Sequence, residues 1–588
     1  MHVSLHFRKD VKSFLIDADE VEWIKLRDTF GGDIRYLNKV KKYVIARSLK
    51  NYAILKDKFN ATFSDGVMEV VNKRIQLLKE HDEDVKKIEV INSSIVDFSD
   101  YEFKTKPWEH QLKALALAIE AKSLGLLMDM RTGKTYVLSN LVEMAKANGQ
   151  PYKTLVLCPK QIMYDTWVKD VHKHTDLKVN VAKHPTPKAT IEEIYAYRTV
   201  TRGGYKQREF GEPDITVLNH DAVRNKDILE ALKDKHFNIL IIDESHKYKT
   251  LTSKRTKALL SLRDTVDRVF ISTGTLITRS PEDAYSQMEI LNPYILNMTH
   301  DEFKARYCYY KHLPHRGFSM YLGPNKKALP ELWQRIDRHC FKVAIEDCHD
   351  MPELLYTKHI VEMNAEERKY HTELFDDLIT YVNSCDKEKH EIKTTTLGKL
   401  TKLSQITSGF VYDDGEPVRI LNSSKIEELR EVLKEIICEN RKVIIWAHFI
   451  QSRAMISELL KEMKIKFARI DTSVDDTSAE IAKFTNDKDC SVILCSQSCG
   501  AEGMDLSPAK YTIYYDNSFM YEHRKQSERR FYTHLSKQLH GKNVVIIDMC
   551  AEDSVDQIIL DSLTNKQDLS EFINAKVLND YYSKFEEE

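Results

Sequence analysis

Two short runs carry most of the chemistry in this 588-residue chain. In LGLLMDMRTGKTYVLSNLVEMAKANG an apolar run leads into Asp129, Met130, Arg131, Thr132, Gly133, Lys134 and Thr135, and an amphipathic helical pattern follows. A tight turn that opens a helix aims backbone N–H groups at a phosphate. In that setting Lys134 reaches the β- and γ-phosphates and Thr135 holds Mg²⁺, so the seven residues from Asp129 form a candidate ATP cradle. The second run is NILIIDESHKYK. Its apolar stretch delivers Asp243, Glu244, Ser245 and His246 to the carboxyl end of a strand, where open α/β sheets bind their ligands. Asp243 is placed to hold Mg²⁺, and Glu244 to orient and deprotonate an attacking water. Lys134, Asp243 and Glu244 are therefore the catalytic candidates of this half.

The elements that must position them are strands alternating with helices. LGLLM (124–128), TLVLC (154–158), ITVL (215–218), NILII (238–242) and RVFI (268–271) read as strands of a parallel sheet covered on both faces. The second half repeats the theme with KVIIW (442–446), SVIL (491–494), YTIYY (511–515) and NVVII (543–547). The expected architecture is α/β: two parallel-sheet lobes at 96–290 and 416–566, with a helical protrusion and linker at 291–415 between them. A small α+β accessory domain is expected at 1–95, from the pattern in RYLNKVKKYVIARSLKNYAILKDKF, and a C-terminal tail at 567–588. No internal repeat is found.

Strand, GKT and DESH in this order resemble the DExH ATPases of helicase superfamily II, and the flanking text resembles the Swi/Snf branch over about residues 103–566. The resemblance implies two RecA-like lobes and a set of further site residues. Trp108-Glu109-His110-Gln111 is similar to the segment whose glutamine reads adenine, which puts Gln111 on the base. TLVLCPKQIMYDTW, VLNHDAV and SQSCGAEGMDLSPAKYTIYYD resemble motifs Ia, Ib and V. They imply Lys160, Asn219 and Ser496 on the nucleic acid, and Gly503 and Asp505 near the nucleotide. Ser272, Thr273, Gly274 and Thr275 match motif III, which with His246 couples hydrolysis to movement of the polymer. In motif VI, Gln526 and Arg530 fit. The next family arginine is replaced by Thr533, and Arg529 is an extra neighbour. An arginine finger stabilises charge on the transferred phosphoryl group, so either Arg529 or Arg530 takes over or turnover is slow. The P-loop departs as well: Met128 stands where a first glycine is general, and Arg131 replaces a glycine usual in this branch.

One segment carries a nucleic-acid signature of its own. Residues 303–327 contain Lys304, Arg306, Lys311, Arg316, Lys326 and Lys327, no acidic residue, and six interleaved aromatics including Phe303 and Tyr307. Cations neutralise phosphates and aromatic faces stack on bases; the alternative is a solvated surface whose aromatics are core. Phe303-Lys-Ala-Arg306-Tyr307-Cys308 looks like the matching stretch of annealing helicases, and the first ninety residues faintly resemble their HARP domain. On that resemblance Arg35, Lys39, Lys41, Lys42 and Arg47 are candidate phosphate contacts, the alternative being an ordinary basic surface.

Composition narrows the class further. The apolar fraction is 42% and the charged fraction 30%, values of a soluble globular protein. No apolar stretch is long enough to span a bilayer, and the ten cysteines form no C-x-x-C zinc pair. The net charge of −2 leaves any polyanion partner to local patches. The resulting expectation is a monomeric, cytoplasmic, ATP- and Mg²⁺-dependent translocase on duplex or branched DNA. It would be nearest to the annealing helicases and to prokaryotic or phage translocases, and nuclear if eukaryotic. An RNA-dependent ATPase and an ATP-gated clamp with weak hydrolysis are the alternatives.

Overall fold

The computed structural model describes the chain apart from residues 9–10, 32–33, 39, 47, 93–96, 161, 196, 203–204, 278–279, 314–317, 349–350, 385–388, 414–415, 420–422, 440, 475, 498–503 and most of 566–588. Its centre is a seven-stranded sheet in the order Cys340–Val343, Ser123–Met128, Arg268–Ser272, Ile239–Asp243, Thr154–Cys158, Ile215–Asn219, Val179–Val181. Every neighbouring pair in it is parallel. Alternate residues feed two separate cores. Leu155, Leu157, Leu240, Ile242 and Ile271 pack on one face, whereas Val156, Cys158, Ile239, Ile241 and Phe270 pack on the other. Burial on both faces is why these strands read as unbroken apolar runs rather than as alternating ones.

The second lobe repeats the plan with six parallel strands, in the order Glu353–Val361, Asn543–Ala551, Ala509–Tyr514, Lys442–Trp446, Cys490–Cys495, Lys466–Ile470. Val443 and Ile445 face one core, and Ile444 and Trp446 the other. The amino-terminal residues form a five-stranded sheet, Arg35–Leu37, Lys42–Ala46, Val11–Asp17, His2–Arg8, Thr62–Phe63. Its core holds Phe14, Ile16, Leu26 and Ile45.

The segment between the lobes differs from the expected helical insertion over 291–415. Cys340–Val343 returns as an edge strand of the first sheet, with Cys340 opposite Gly125. Glu353–Val361 is already the edge strand of the second. The helices Ala365–Ser384 and Lys389–Thr407 belong with the second lobe, where Phe375, Leu378, Leu400 and Leu403 pack on Val555, Ile558 and Ile559. Edge strands escape a search for apolar runs because one side of each meets water; most of Glu353–Val361 is exposed or half-exposed. The hairpin Cys308–Leu313 with Phe318–Pro324 also replaces helix within the protrusion.

The boundary near residue 95 shifts for a similar reason. The 28-residue helix Asp65–Asn92 leaves the small domain and lies along the first lobe, where Ile88 enters its core. Arg338 Nη2 meets Glu89 at 2.8 Å and Lys122 Nζ meets Glu80 at 3.1 Å. His81 stacks on His339 with ring centroids 4.6 Å apart. Burial, then the neighbouring His81 and Arg338 charges, pull His339 down to about 3, and burial lowers His81 as well. His220, hydrogen-bonded to Tyr248 Oη at 3.1 Å, is likewise held at about 3 by burial. A histidine whose folded pKa lies below its unfolded one takes up a proton on unfolding. Its stabilisation is therefore complete above about pH 6.5 and drains as the pH falls toward 3, by up to ~1.4 kcal/mol per pH unit for each histidine. Urea unfolding should show a lower midpoint at about pH 5 than at about pH 7.5, and His339→Phe should narrow that difference.

Candidate active site

Each lobe contributes strand ends and a helix to one cleft. On the first lobe, Ser123–Met128 runs into residues 129–133, and the helix Lys134–Ala147 starts at once. Gly133 caps that helix at φ +87°. That backbone conformation favours glycine, and a Cβ there would also displace the Gln111 amide from its place on the loop. Gln111 is buried, donates from Nε2 to Thr132 O at 3.2 Å and accepts from Trp108 N–H at 3.0 Å. His110 Nε2 meets the same Thr132 carbonyl at 2.8 Å. The loop is closed on itself by Thr132 Oγ1, which donates to Asp129 O at 2.7 Å. Lys134 Nζ lies over the loop, 3.1 Å from Met128 O and 3.3 Å from Asp129 O. Met130 and Thr135 are half-buried at its two ends.

The carboxylates stand on the strand Ile239–Asp243, two places along the sheet from the P-loop strand. Asp243 is buried and both its oxygens are held: Oδ1 accepts from Ser272 Oγ at 2.5 Å and from Glu244 N–H at 3.1 Å, and Oδ2 accepts from Trp167 Nε1 at 3.1 Å. Burial, and next to it the charge of Glu244, push the Asp243 carboxyl above the usual carboxylate range. Glu244 sits in the left-handed region at φ +53°, which turns it away from the strand. Burial acts on Glu244 in the same direction. The hydrogen bond from His246 and the charges of Lys134, His246 and Arg530 outweigh it and hold Glu244 well below that range. Glu244 is thus an ionised carboxylate in the field of Lys134 from its own lobe and of Arg530 from the other.

The donor set fits a nucleotide bound through Mg²⁺. Hydroxyl and carboxylate oxygens suit a hard divalent cation. A cation beside Asp243 offsets the burial and the like charge that now raise its pKa. Thr135 and Asp243 would hold that ion, and backbone N–H groups of 129–135 would hold the phosphates.

Motif III joins the carboxylates to the second lobe. Ser272 holds Asp243, while Thr273 Oγ1 stands 3.4 Å from His246 Nδ1, the atom that meets Glu244 Oε2 at 3.2 Å. Thr273 Oγ1 donates to Thr275 O at 3.0 Å and accepts from its N–H at 3.1 Å. Thr275 Oγ1 then crosses the cleft to Glu522 Oε1 at 3.2 Å, and the same oxygen accepts from Gln526 Nε2 at 2.9 Å. Gly274 contributes only backbone, and a Cβ there would meet Met128 O at an ordinary contact distance of 3.8 Å.

Arg131, which no sequence pattern accounts for, also spans the cleft. Its Nη2 donates to Met504 O at 2.9 Å, Asp505 Oδ1 at 3.0 Å and Arg530 O at 3.0 Å, and Nη1 donates to Ser507 Oγ at 3.3 Å. A non-glycine residue at φ +65° costs about 1–2 kcal/mol. The bonds that the guanidinium donates to the part-buried carbonyls of Met504 and Arg530 act against that strain. In return, Arg529 Nη1 of the second lobe meets Asp129 Oδ2 at 2.6 Å. Arg530 is buried on the helix Tyr521–Phe531. Thr533 is fully buried; its Oγ1 caps the helix His534–His540 through Ser536 N–H at 3.0 Å and meets Ser507 Oγ at 2.7 Å.

The residues expected on the nucleic acid fare differently. Lys160 is exposed beyond its strand. Asn219 Oδ1 accepts from the N–H groups of Asp221 and Ala222 at 2.9 and 3.1 Å, so that oxygen shapes a turn. Ser496 is buried. In the basic segment, Phe303 and Tyr307 are fully buried core residues rather than stacking platforms. Lys304 is paired with Glu282 at 3.1 Å and Arg306 Nη2 with Glu331 at 2.6 Å, acidic partners that stand outside the 303–327 window. Of that segment's remaining expected contacts, the Lys311 side chain and Arg316 lie outside the described residues, as do Gly503 of motif V and Lys39 and Arg47 of the small domain. Trp167 and Glu522 went unrecognised in the sequence. Trp167 closes the motif Ia text without any spacing that ties it to Asp243, and Glu522 is a common residue in a charged helix.

Two RecA-like lobes with a P-loop, paired carboxylates and a facing arginine define an ATPase of the helicase kind. A family model described as the SNF2-related domain matches residues 109–409, and one described as the helicase conserved C-terminal domain matches 424–533. The chain belongs to the SNF2-related family. It is 25% identical over 78% of its length to the Drosophila melanogaster SWI/SNF-related matrix-associated actin-dependent regulator of chromatin subfamily A-like protein 1, of which it covers 55%. It is 22% identical over 74% of its length to the mouse DNA annealing helicase and endonuclease ZRANB3, covering 38% of that protein. The chain thus spans about half the length, or less, of these relatives. The Sulfolobus solfataricus SWI2/SNF2 ATPase core in complex with dsDNA aligns with 82% of this chain and 95% of its own, at 19% identity and a TM-score of 0.36. Among the described residues, no helix is long and apolar enough to cross a membrane.

Removing the Trp167 N–H leaves one oxygen of Asp243 without its donor. Trp167→Phe, which keeps the packing, should lower kcat for ATP about tenfold, the scale of outer-shell changes at metal sites. A parallel rise in the Mg²⁺ concentration needed for half-maximal rate would locate the effect at Asp243.

Proposed function

We propose that this chain is an ATP-driven translocase acting on double-stranded or branched DNA. The observation that carries the reading is that the phosphate loop of one lobe is held by motif residues of the other: Arg131 Nη2 meets Asp505 Oδ1 at 3.0 Å and Arg529 Nη1 meets Asp129 Oδ2 at 2.6 Å. A site completed only when two lobes meet converts a hydrolysis cycle into a cycle of closing and opening. In the closed form Gln111 lies against the base and Lys134 against the phosphates. Glu244 takes the proton of the attacking water, and Arg530 stabilises the charge that develops on the transferred group. Mg²⁺ held by Thr135 and Asp243 would neutralise phosphate charge.

The choice of DNA is supported by similarity to the mouse DNA annealing helicase and endonuclease ZRANB3. The polymer would lie across both lobes, near Lys160. A second reading, a clamp whose affinity responds to ATP with little hydrolysis, is favoured by Thr533, whose hydroxyl caps a helix where an arginine would enter the cleft.

Steady-state hydrolysis measured without polymer and with duplex DNA, forked DNA, single-stranded DNA and RNA separates these readings. Strong stimulation by duplex or forked DNA, lost in Lys134→Ala and Glu244→Gln, is the expected result. Stimulation by RNA alone would overturn the substrate. Binding that responds to ATP without turnover would establish the clamp. The hydroxyl path from His246 to Glu522 predicts a further split. Thr275→Val should keep most of the basal rate and lose about tenfold of the stimulation, within the range of mutations along a coupling path.

A further inference from the structure

Arg131 ends where two separate segments of the second lobe are themselves joined. Leu506 N–H donates to Arg530 O at 3.0 Å, and Arg131 Nη2 donates to that same carbonyl at 3.0 Å. The guanidinium also takes the Asp505 carboxylate at 3.0 Å and Met504 O at 2.9 Å. Its backbone, meanwhile, is the middle of the phosphate loop, between the carbonyl of Asp129, which Thr132 holds, and the cap at Gly133. Any change in that loop's path is transmitted to the carbonyl of Arg530, the residue whose charge reaches Glu244. The side chain itself points away from the carboxylates: all four of its acceptors belong to the second lobe, and Lys134 is the first lobe's cation beside Asp243 and Glu244.

We propose that Arg131 is a positioning residue, a strut that sets the shape of the phosphate loop and the placement of Arg530 together. The proposal rests on the ATPase reading above and names what regulates closure of that same site. The guanidinium's reach and its second nitrogen are both required: Nη2 takes Met504 O, Asp505 Oδ1 and Arg530 O while Nη1 takes Ser507 Oγ, and a lysine ammonium, on a shorter stem, offers one nitrogen with no second one to hold the hydroxyl. The reciprocal pair, Arg529 with Asp129, anchors the same loop from the opposite side, so removing Arg131 frees one edge of the contact and lets the lobes open about the pair that remains.

The test compares Arg131→Gly, Arg131→Lys, Asp505→Asn and the double variant Arg131→Gly with Asp505→Asn, using the full chain with duplex DNA. Glycine adopts φ +65° without strain, so Arg131→Gly should keep its thermal midpoint while kcat falls about tenfold, a typical size for coupling between two sites. KM for ATP should stay nearly constant, because the phosphate-binding backbone remains. Lysine should not restore the rate. The double variant should be no slower than the slower single variant, because partners in one contact are not additive. Small-angle scattering without nucleotide should give Arg131→Gly a larger radius of gyration than the wild type. An unchanged kcat in Arg131→Gly, full rescue by lysine, or losses that multiply in the double variant would overturn the strut. If the wild type hydrolyses no ATP with any polymer, the proposed function falls by itself; the scattering comparison then decides the strut, and equal radii overturn it.

Discussion

A carboxylate buried at the end of a strand stays charged only if something faces it. Asp243 and Glu244 are adjacent and both buried, so each opposes the ionisation of the other, and much of the surrounding architecture answers that problem. Ser272 and Trp167 supply one donor to each oxygen of Asp243. His246, Lys134 and Arg530 supply the positive field that keeps Glu244 ionised. Ser272 comes from a neighbouring strand, Trp167 from the buried turn after the helix Ile162–Asp165, His246 from the short helix Ser245–Tyr248, Lys134 from the start of the helix after the phosphate loop, and Arg530 from the opposite lobe. The parallel sheet brings the first four within reach of one point, and the cleft is needed for the fifth.

Much of this was legible in the sequence, and the reason is physical. The central strands are buried on both faces, so they appear as apolar runs. The phosphate loop must open a helix, so GKT sits between a strand and an amphipathic pattern. What stayed hidden depends on tertiary placement. Trp167 gives no local sign that its N–H will meet Asp243. Arg131 breaks the family pattern, and only the fold shows that its side chain leaves the loop for Asp505. The basic and aromatic run at 303–327 misled for the opposite reason. Its composition suits a polymer groove, yet Phe303 and Tyr307 are core, and Glu282 and Glu331 already pair with Lys304 and Arg306. A charge window drawn along the chain cannot see partners that arrive from elsewhere in it.

The second lobe carries its own dense charge network, away from the cleft. Lys425, almost wholly buried, meets Asp556 Oδ2 at 2.5 Å. Arg524 lies 3.5 Å from the centre of the Tyr514 ring and donates from Nη2 to Asp548 Oδ2 at 2.8 Å. Pairs of this kind lose most of their Coulomb gain to desolvation. They do fix geometry: Arg524 sits two turns before Arg530 on one helix, and its fork clamps that helix to the sheet. The helix that presents Arg530 to the cleft is therefore held to the lobe at its other end.

The edge strand Cys340–Val343 has a mechanical consequence. Because the chain returns to the first sheet before leaving it, the protrusion that begins after Leu291 has both ends rooted in one lobe. It therefore travels as cargo of that lobe, and its hairpin cannot lag behind when the cleft opens. The covalent link between the lobes shrinks to the stretch from Val343 to Glu353, part of it wound into the short helix Ile345–Cys348. That helix is tied back by its own N–H, which Ile345 donates to Asp129 of the phosphate loop at 3.2 Å. The link between the lobes is thus fastened at its start to the nucleotide cradle, by Ile345 N–H on Asp129 and by Asp129 N–H on Val343 O at 3.1 Å, so the loop and the chain that joins the lobes are one hydrogen-bonded unit.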